Sequence, residues 1–424
     1  MDKRTFIIKG DICYSESLDE IKTFENHYLV CEGGKIQGVF PEIPEKFSGV
    51  PTENFEGQLV IPGFTDLHLH APQYAFRSVG MDEELLEWLQ ARAFPEEARY
   101  EDLEYADRAY GIFAEDMKRG ATTRACMFGT LHPEATLLLM EKMEATGLVT
   151  FVGKVNMDRN SPDILRETKE ESAKNTLRWL DGAKGKFKRT HPILTPRFIP
   201  SCSDGLMEEL GRIRREYRLP VQSHLSENQG EIAWVRKLCP DASCYGDAYL
   251  RWGMLGGELP AIMAHCVYSG ETERRLMREN GTFVAHCPQS NMNLASGIAP
   301  IRRYLEEGLK VGLGSDVAGG TTASMLRCVT DAISVSKLWW RLKDEDCRPL
   351  TVPEAFFLGT KGGGAFFGKA GSFEPGYEAD ILVLDESRIP WPGHFSLRER
   401  LERFLYLGDD RDVLHKYVAG ERLF

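Results

Sequence analysis

No two cysteines in this chain are spaced as CxxC, although ten cysteines occur in 424 residues. Most zinc ribbons and dithiol redox motifs use that spacing, so neither is expected. The cysteines sit mostly in apolar runs, such as Cys126 in ATTRACMF and Cys266 in AIMAHC. Buried free thiols in a reducing compartment explain this better than a disulfide framework. Also missing is any uncharged apolar run near the ~18 residues that span a bilayer. The opening residues, MDKRTFIIKGDICYSE, hold no long apolar segment like that of a signal peptide. A cytoplasmic protein is the expectation. An excess of cations is lacking too: 52 Lys and Arg stand against 64 Asp and Glu, a formal charge of −12. Nucleic acid and anionic membrane are therefore not expected partners. The glycine cluster KGGGAFFGKAG lacks the Lys-Ser/Thr ending of a phosphate loop, which leaves a turn or close helix packing.

What remains is an ordinary globular balance, 42% hydrophobic and 27% charged, in a chain long enough to bury a large core. The first sixty residues are β-rich, with Gly33-Gly34 breaking HYLVCEGGKIQGVF. Then eight short apolar runs follow: GFTDLHLHA, ATTRACMF, LVTFVGKVNMD, HPILTPRFI, LPVQSHLSE, AIMAHCVY, GTFVAHCPQSN and KVGLGSDVAG. Amphipathic helices fit between them. YEDLEYADRAYGIFAEDMKRG should stop at Gly120, and SDGLMEELGRIRREYRL should be capped by Ser203. Strands alternating with helices predict a (β/α)₈ barrel, with an open doubly wound sheet as the alternative. After about residue 370 β character returns in YEADILVLD and VLHKYVAGERLF. We therefore expect residues 1–64 and 371–424 to build one small β-sandwich domain, and residues 65–370 to form the barrel.

Four of the eight runs carry a metal-type residue near the C-terminal end: His68 and His70, His224, His265, and Asp316. In a barrel those ends converge on one face. His68 and His70, two apart on a strand, point to the same side. One more imidazole and a carboxylate would complete a mononuclear site for zinc or a related divalent ion. HxH alone is weak evidence, since paired core or surface histidines are common; the whole set is far more specific. Glu227, three residues beyond His224, could shuttle protons beside such an ion or could be a helix N-terminal glutamate with Ser226 as cap. Arg197 and Phe198 could bind and stack on a flat heterocycle, or be an ion-paired arginine and a core ring. Gln73 offers a donor and an acceptor, or is an ordinary loop residue. His286 is a rival ligand, read as structural because Pro288 and Asn291 suggest a tight turn. His27, His132, His191, His394 and His415 lie in bland settings. The fourth run has no central lysine, which disfavours a lysine-bridged two-metal site. HxE with PCxxC, the signature of cytidine-type deaminases, is absent.

PGFTDLHLHAPQY, QSHLSEN, MAHCVY, AHCPQSN and GLGSDVAGG together resemble the amidohydrolase superfamily. LLEWLQARAFPEE, FVGKVNMD, TPRFIPSCS and FLYLGDDR narrow the resemblance to its guanine aminohydrolases, over about residues 60–420. The resemblance implies hydrolysis of guanine to xanthine and ammonia with one zinc ion per subunit. It implies His68, His70, His224 and Asp316 as metal ligands and Asp316 as a proton acceptor. Glu227 becomes the proton shuttle and His265 the stabiliser of the new oxygen, both touching substrate. Gln73, Arg197 and Phe198 become holders of the purine. A homodimer in purine catabolism is implied as well. Pro72 departs from the family pattern, which has a small polar residue there; this touches loop shape and not the ligand count. A deaminase of another aminated ring (cytosine, a triazine or an adenosine derivative) and a non-catalytic scaffold share parts of this pattern.

Overall fold

The computed structural model describes residues 4–424. Each of the eight apolar runs forms a strand. In barrel order they are Phe64–His70, Thr122–Phe128, Val149–Gly153, Thr190–Pro192 with Thr195–Pro196, Val221–Leu225, Ala261–His265, Phe283–His286 and Lys310–Leu313. The first four pair in parallel, as do the last four. A parallel bridge from Leu194 to Val221 joins the halves. The ring closes where the Asp316 N–H donates to the His68 carbonyl at 2.8 Å and the His70 N–H to the Val317 carbonyl at 3.0 Å. An open sheet is thereby excluded. Inward-facing Leu67, Cys126, Ile193, Ile262, Ala264 and Ala285 fill the lumen. Phe366 stacks edge-on against Phe283 and Phe151, each with ring centres 5.4 Å apart, and plugs the base.

The helices start and stop as their residues dictate. Asp102 caps Leu103–Arg119 by accepting the N–H groups of Glu104 and Tyr105, and Gly120 ends it. Its buried Ala106, Ala109, Tyr110, Phe113 and Met117 recur at three- and four-residue spacing and face the strands. Ser203 caps Asp204–Tyr217 through the Leu206 N–H. Ser226 does not act as a cap. Asn228 caps the helix Gln229–Leu238 in a capping box with Glu231, and the Ser226 hydroxyl instead donates to Glu273 at 2.7 Å. Nor do Pro288 and Asn291 make a tight turn: Pro288–Asn293 is a short helix, with proline at its start where no N–H is missed.

Both chain ends meet in one sheet. Its seven strands run in the order Glu421–Arg422, Val413–Val418, Ile381–Leu384, Thr52–Pro62, Phe6–Ser15, Ile21–Glu32 and Lys35–Phe40. The sandwich expected there takes the form of this single, continuously hydrogen-bonded sheet. Gly33 and Gly34, at φ of 58° and 82°, make the two-residue turn that flips Ile21–Glu32 into Lys35–Phe40. One face buries Ile8, Ile12, Leu29, Val60, Ile381 and Val383.

The sheet docks near the base of the barrel through matched charges. Arg124, early in the second barrel strand, pairs with Asp380 at 2.5 Å, and both are buried. The Lys416 ammonium, fully buried, donates to the carbonyls of Met117, Lys118 and Gly120 at 2.8–3.1 Å. It thus caps the C-terminus of Leu103–Arg119, where the helix leaves carbonyls unpaired. Asp410 accepts the Ala121 N–H at 2.8 Å. The glycines of KGGGAFFGKAG serve close packing: a Cβ on Gly364 would meet the Ala370 carbonyl oxygen at 2.3 Å.

Candidate active site

All of His68, His70, His224, His265, Glu227 and Asp316 meet at the C-terminal mouth of the barrel, and each is buried except His224, which is nearly so. The imidazoles of His68, His70 and His224 bring ring nitrogens within 4.8 Å of one another. His70 Nε2 faces His224 Nε2 at 3.1 Å. Asp316 Oδ1 lies 3.2 Å from His68 Nε2 and 3.5 Å from His70 Nε2. His224 Nδ1 lies 2.6 Å from the Arg197 carbonyl. A carbonyl can only accept, so Nδ1 carries the proton and Nε2 turns its lone pair toward His70.

Electrostatics suit a cation. Burial lowers the pKa of His68, and lowers those of His70 and His224 well below the ordinary value, so the three rings are neutral donors. Burial alone would raise Asp316, but His68, His265 and His70 outweigh it and hold the carboxyl below its usual range. His68 Nδ1 is buried with no hydrogen-bond partner, and Asp316 lies 3.2 Å from its buried Nε2. Neutral imidazoles and a carboxylate, converging in one buried cluster, fit a divalent metal.

Beside this cluster, His265 Nδ1 pairs with Asn291 Oδ1 at 2.9 Å. That leaves Nε2 directed at Glu227, 3.4 Å away, and Asp316, 3.7 Å away. Burial opposes charge on His265, yet Glu227, Asp316 and Asn291 together raise its pKa. Burial raises Glu227 against the pull of His265, and Ser296 donates to its Oε1 at 2.9 Å. The backbone is unusual at these strand ends. Ser226, His265, Cys266 and Asp316 all have φ between 46° and 69°. Non-glycine residues rarely adopt that region, and such strain gathers at functional sites.

Gln73, Arg197 and Phe198 line the adjoining pocket, with Leu85, Trp88 and Leu294 as apolar walls. Gln73 and Arg197 both bond the carboxylate of Glu97. The pocket thus makes Arg197 both an ion-paired residue and a pocket wall. Phe198 packs edge-on to Trp234 with ring centres 6.3 Å apart. His286 is buried at the end of its strand, its ring nitrogens without partners, and burial lowers its pKa to about 3. It joins neither group of convergent metal donors among the described residues. His27, His132, His191, His394 and His415 are likewise outside them.

Sequence reasoning missed Glu97, Asn291, Ser296 and Glu231. Glu231 accepts the N–H groups of Glu227 and Asn228 and the Tyr245 hydroxyl, fixing the loop that carries Glu227. The capping-box spacing Asn228-x-x-Glu231 is a signal that could have flagged it. Nothing in the spacing of Glu97 or Ser296 points to residues a hundred or seventy positions away.

A parallel barrel with this donor set at its mouth defines a class, and comparison with known proteins agrees. The amidohydrolase family model matches residues 59–423, and the chain belongs to that family. Within it the chain is similar to guanine deaminases. The crystal structure of guanine deaminase from C. acetobutylicum with bound guanine in the active site is 43% identical, with a TM-score of 0.96, covering 99% of this chain and all of that one. The guanine deaminase of Dictyostelium discoideum is 36% identical over 98% of both chains. That of Escherichia coli K12 is 35% identical over 96% of this chain and 93% of its own.

Proposed function

We propose that this chain hydrolyses guanine to xanthine and ammonia, with one zinc ion held by His68, His70, His224 and Asp316. One observation carries the reading. A convergent, buried donor set, the buried carboxyl of Glu227 and a hydrogen-bonding pocket wall all open on the same small cavity. The relatives named above, guanine deaminases at 35–43% identity, support guanine over other aminated rings. A divalent cation, when bound, supplies Lewis-acid activation of the attacking water.

The residues of the chain do the rest. Gln73 and Arg197 hydrogen-bond the polar edges of the base, and Phe198 packs against its face. Asp316 takes the proton of the water as oxygen attacks the ring carbon bearing the amine. Glu227, whose pKa burial raises, delivers a proton to the adjacent ring nitrogen, so the ring gains no charge. His265, aimed by Asn291, donates to the new oxygen. The proton on Asp316 then moves to the amine, the C–N bond breaks, ammonia leaves, and the hydroxyl of the new C–O group returns its proton to Glu227 as the carbonyl forms. Buried polar groups left unpaired by a wrong ring cost about 1–3 kcal/mol each, which favours guanine over adenine.

We further read the protein as a cytoplasmic homodimer of purine catabolism that binds neither nucleic acid nor membrane. Its net charge of −12 supports the absence of nucleic-acid and anionic-membrane partners. Among the described residues no helix is long and apolar enough to cross a membrane. Residues 1–64, 65–370 and 371–424 are the units we assign to the small β domain, the barrel and the small β domain again. Zinc-loaded protein incubated with guanine should release ammonia and xanthine in equal amounts, as read by chromatography. Untouched guanine with a fully metallated preparation would overturn the reading.

A further inference from the structure

The purine-reading side chains do not stand alone. Glu97 lies on the helix Phe94–Ala98, which follows the π-helical turn Leu89–Ala93. Its carboxylate is 2% exposed, while Arg197 is 3% and Gln73 2% exposed. Glu97 Oε2 accepts from Arg197 Nη1 at 2.5 Å and Oε1 from Nη2 at 3.0 Å. The same Oε1 accepts from Gln73 Nε2 at 2.8 Å. Phe94, three residues before, sets its ring 5.0 Å from the Arg197 guanidinium carbon. Glu97 itself is not part of the pocket wall; Gln73 and Arg197 are.

Three consequences follow from chemistry. A carboxylate on the two Nη groups grips the guanidinium end-on and leaves its Nε–H side free for a ligand. With Nε2 of Gln73 committed to an acceptor, the amide cannot flip, because flipping would set Oε1 against the carboxylate. A buried guanidinium without this partner would leave a net positive charge beside the base.

We propose that Glu97 is the positioning residue of base recognition: it orients Arg197 and Gln73 and cancels the guanidinium charge, so the pocket accepts a neutral aminopurine and releases an anionic oxopurine. This rests on the guanine reading above. Guanine is neutral near pH 7, whereas its hydrolysis product xanthine is more acidic and ionises first as pH rises. With its guanidinium charge cancelled by Glu97, Arg197 gives the anion no net attraction, while Glu227, Glu231 and Asp316 also line the pocket beside His265, His70 and His224.

The test uses full-length, zinc-loaded wild type, Glu97→Gln and Glu96→Gln. Glu96 sits one position away, pairs with Arg99 at 3.0 Å and does not line the pocket. Guanine turnover and inhibition by xanthine are measured at acid and mildly alkaline pH. Glu97→Gln should raise the guanine KM about tenfold with kcat within about threefold. The ratio of xanthine affinity at alkaline to that at acid pH should be at least about threefold higher in it than in wild type. Glu96→Gln should match wild type. Where Glu97→Gln does not fold, Glu97→Asp keeps the charge but shortens the reach; its guanine KM should rise while the ratio of its xanthine affinities at alkaline and acid pH stays that of wild type. An unchanged KM, a rise shared by Glu96→Gln, or a loss confined to kcat would overturn the positioning role. A ratio of xanthine affinities in Glu97→Gln equal to that of wild type would overturn the charge-balancing role. Wild type inert toward guanine would instead sink the proposed function.

Discussion

The two ends of the barrel use buried polar groups differently. At the base, Arg124 meets Asp380, and Lys416 meets three helix carbonyls. These buried contacts fasten the small sheet to the barrel. At the mouth, like groups crowd together: His70 faces His224 at 3.1 Å, and the buried His68 has no partner at Nδ1. Backbone strain at Ser226, His265, Cys266 and Asp316 adds to that cost. The base is arranged for stability and the mouth for binding, as the division of labour in such barrels predicts.

Substitutions at each end should separate the two. Glu227→Gln removes the proposed proton donor and keeps the shape of the mouth. Its kcat should fall by about 10²–10⁴-fold with zinc content and Tm unchanged. Loss of zinc in that variant would make Glu227 a ligand instead. Arg124→Met at the base leaves Asp380 buried without its cation. Denaturant unfolding should show a loss of about 3–5 kcal/mol, while the guanine KM of the folded fraction stays that of wild type. A changed KM would show that the two ends are coupled.

A smaller effect probes the framework away from the mouth by pH. Burial alone would raise Glu354, but hydrogen bonds from Arg348, Arg302 and Thr351 pull it down to about 2, from an ordinary 4.5. The folded value lies below the unfolded one. Its contribution is therefore complete above about pH 4.5 and fades as pH falls toward 2. That shift corresponds to about 3 kcal/mol. Glu354→Gln should flatten the acid limb of stability by that order, read from unfolding midpoints between these pH values. An acid limb identical to that of wild type would remove Glu354 from the framework.

The sequence exposed one end of the molecule better than the other. Strand-end histidines are legible because a barrel brings every strand C-terminus to one face, so order along the chain predicts proximity in space. The eight strands were legible for a related reason: buried parallel strands are short apolar runs bounded by turn residues. Docking at the base was not legible. Arg124 and Asp380 are 256 residues apart, and nothing local marks them as partners. FLYLGDDR, read as a family marker, turns out to lie with the small sheet, where Asp410 bonds the Ala121 N–H. Ser226 looked like a cap because it precedes a helix. Asn228 took that place because its side chain reaches the Gly230 N–H while Glu231 returns the bond. Glu97 and Asn291 escaped notice because each acts through another side chain, Arg197 in one case and His265 in the other.

The central claim is that three imidazoles and Asp316 gather around one cation. Anomalous X-ray scattering at the zinc edge, on crystals of protein purified without chelator, tests it most directly. The account predicts a single strong peak enclosed by His68, His70, His224 and Asp316. A peak elsewhere in the chain, or none at that position in an active preparation, would contradict it.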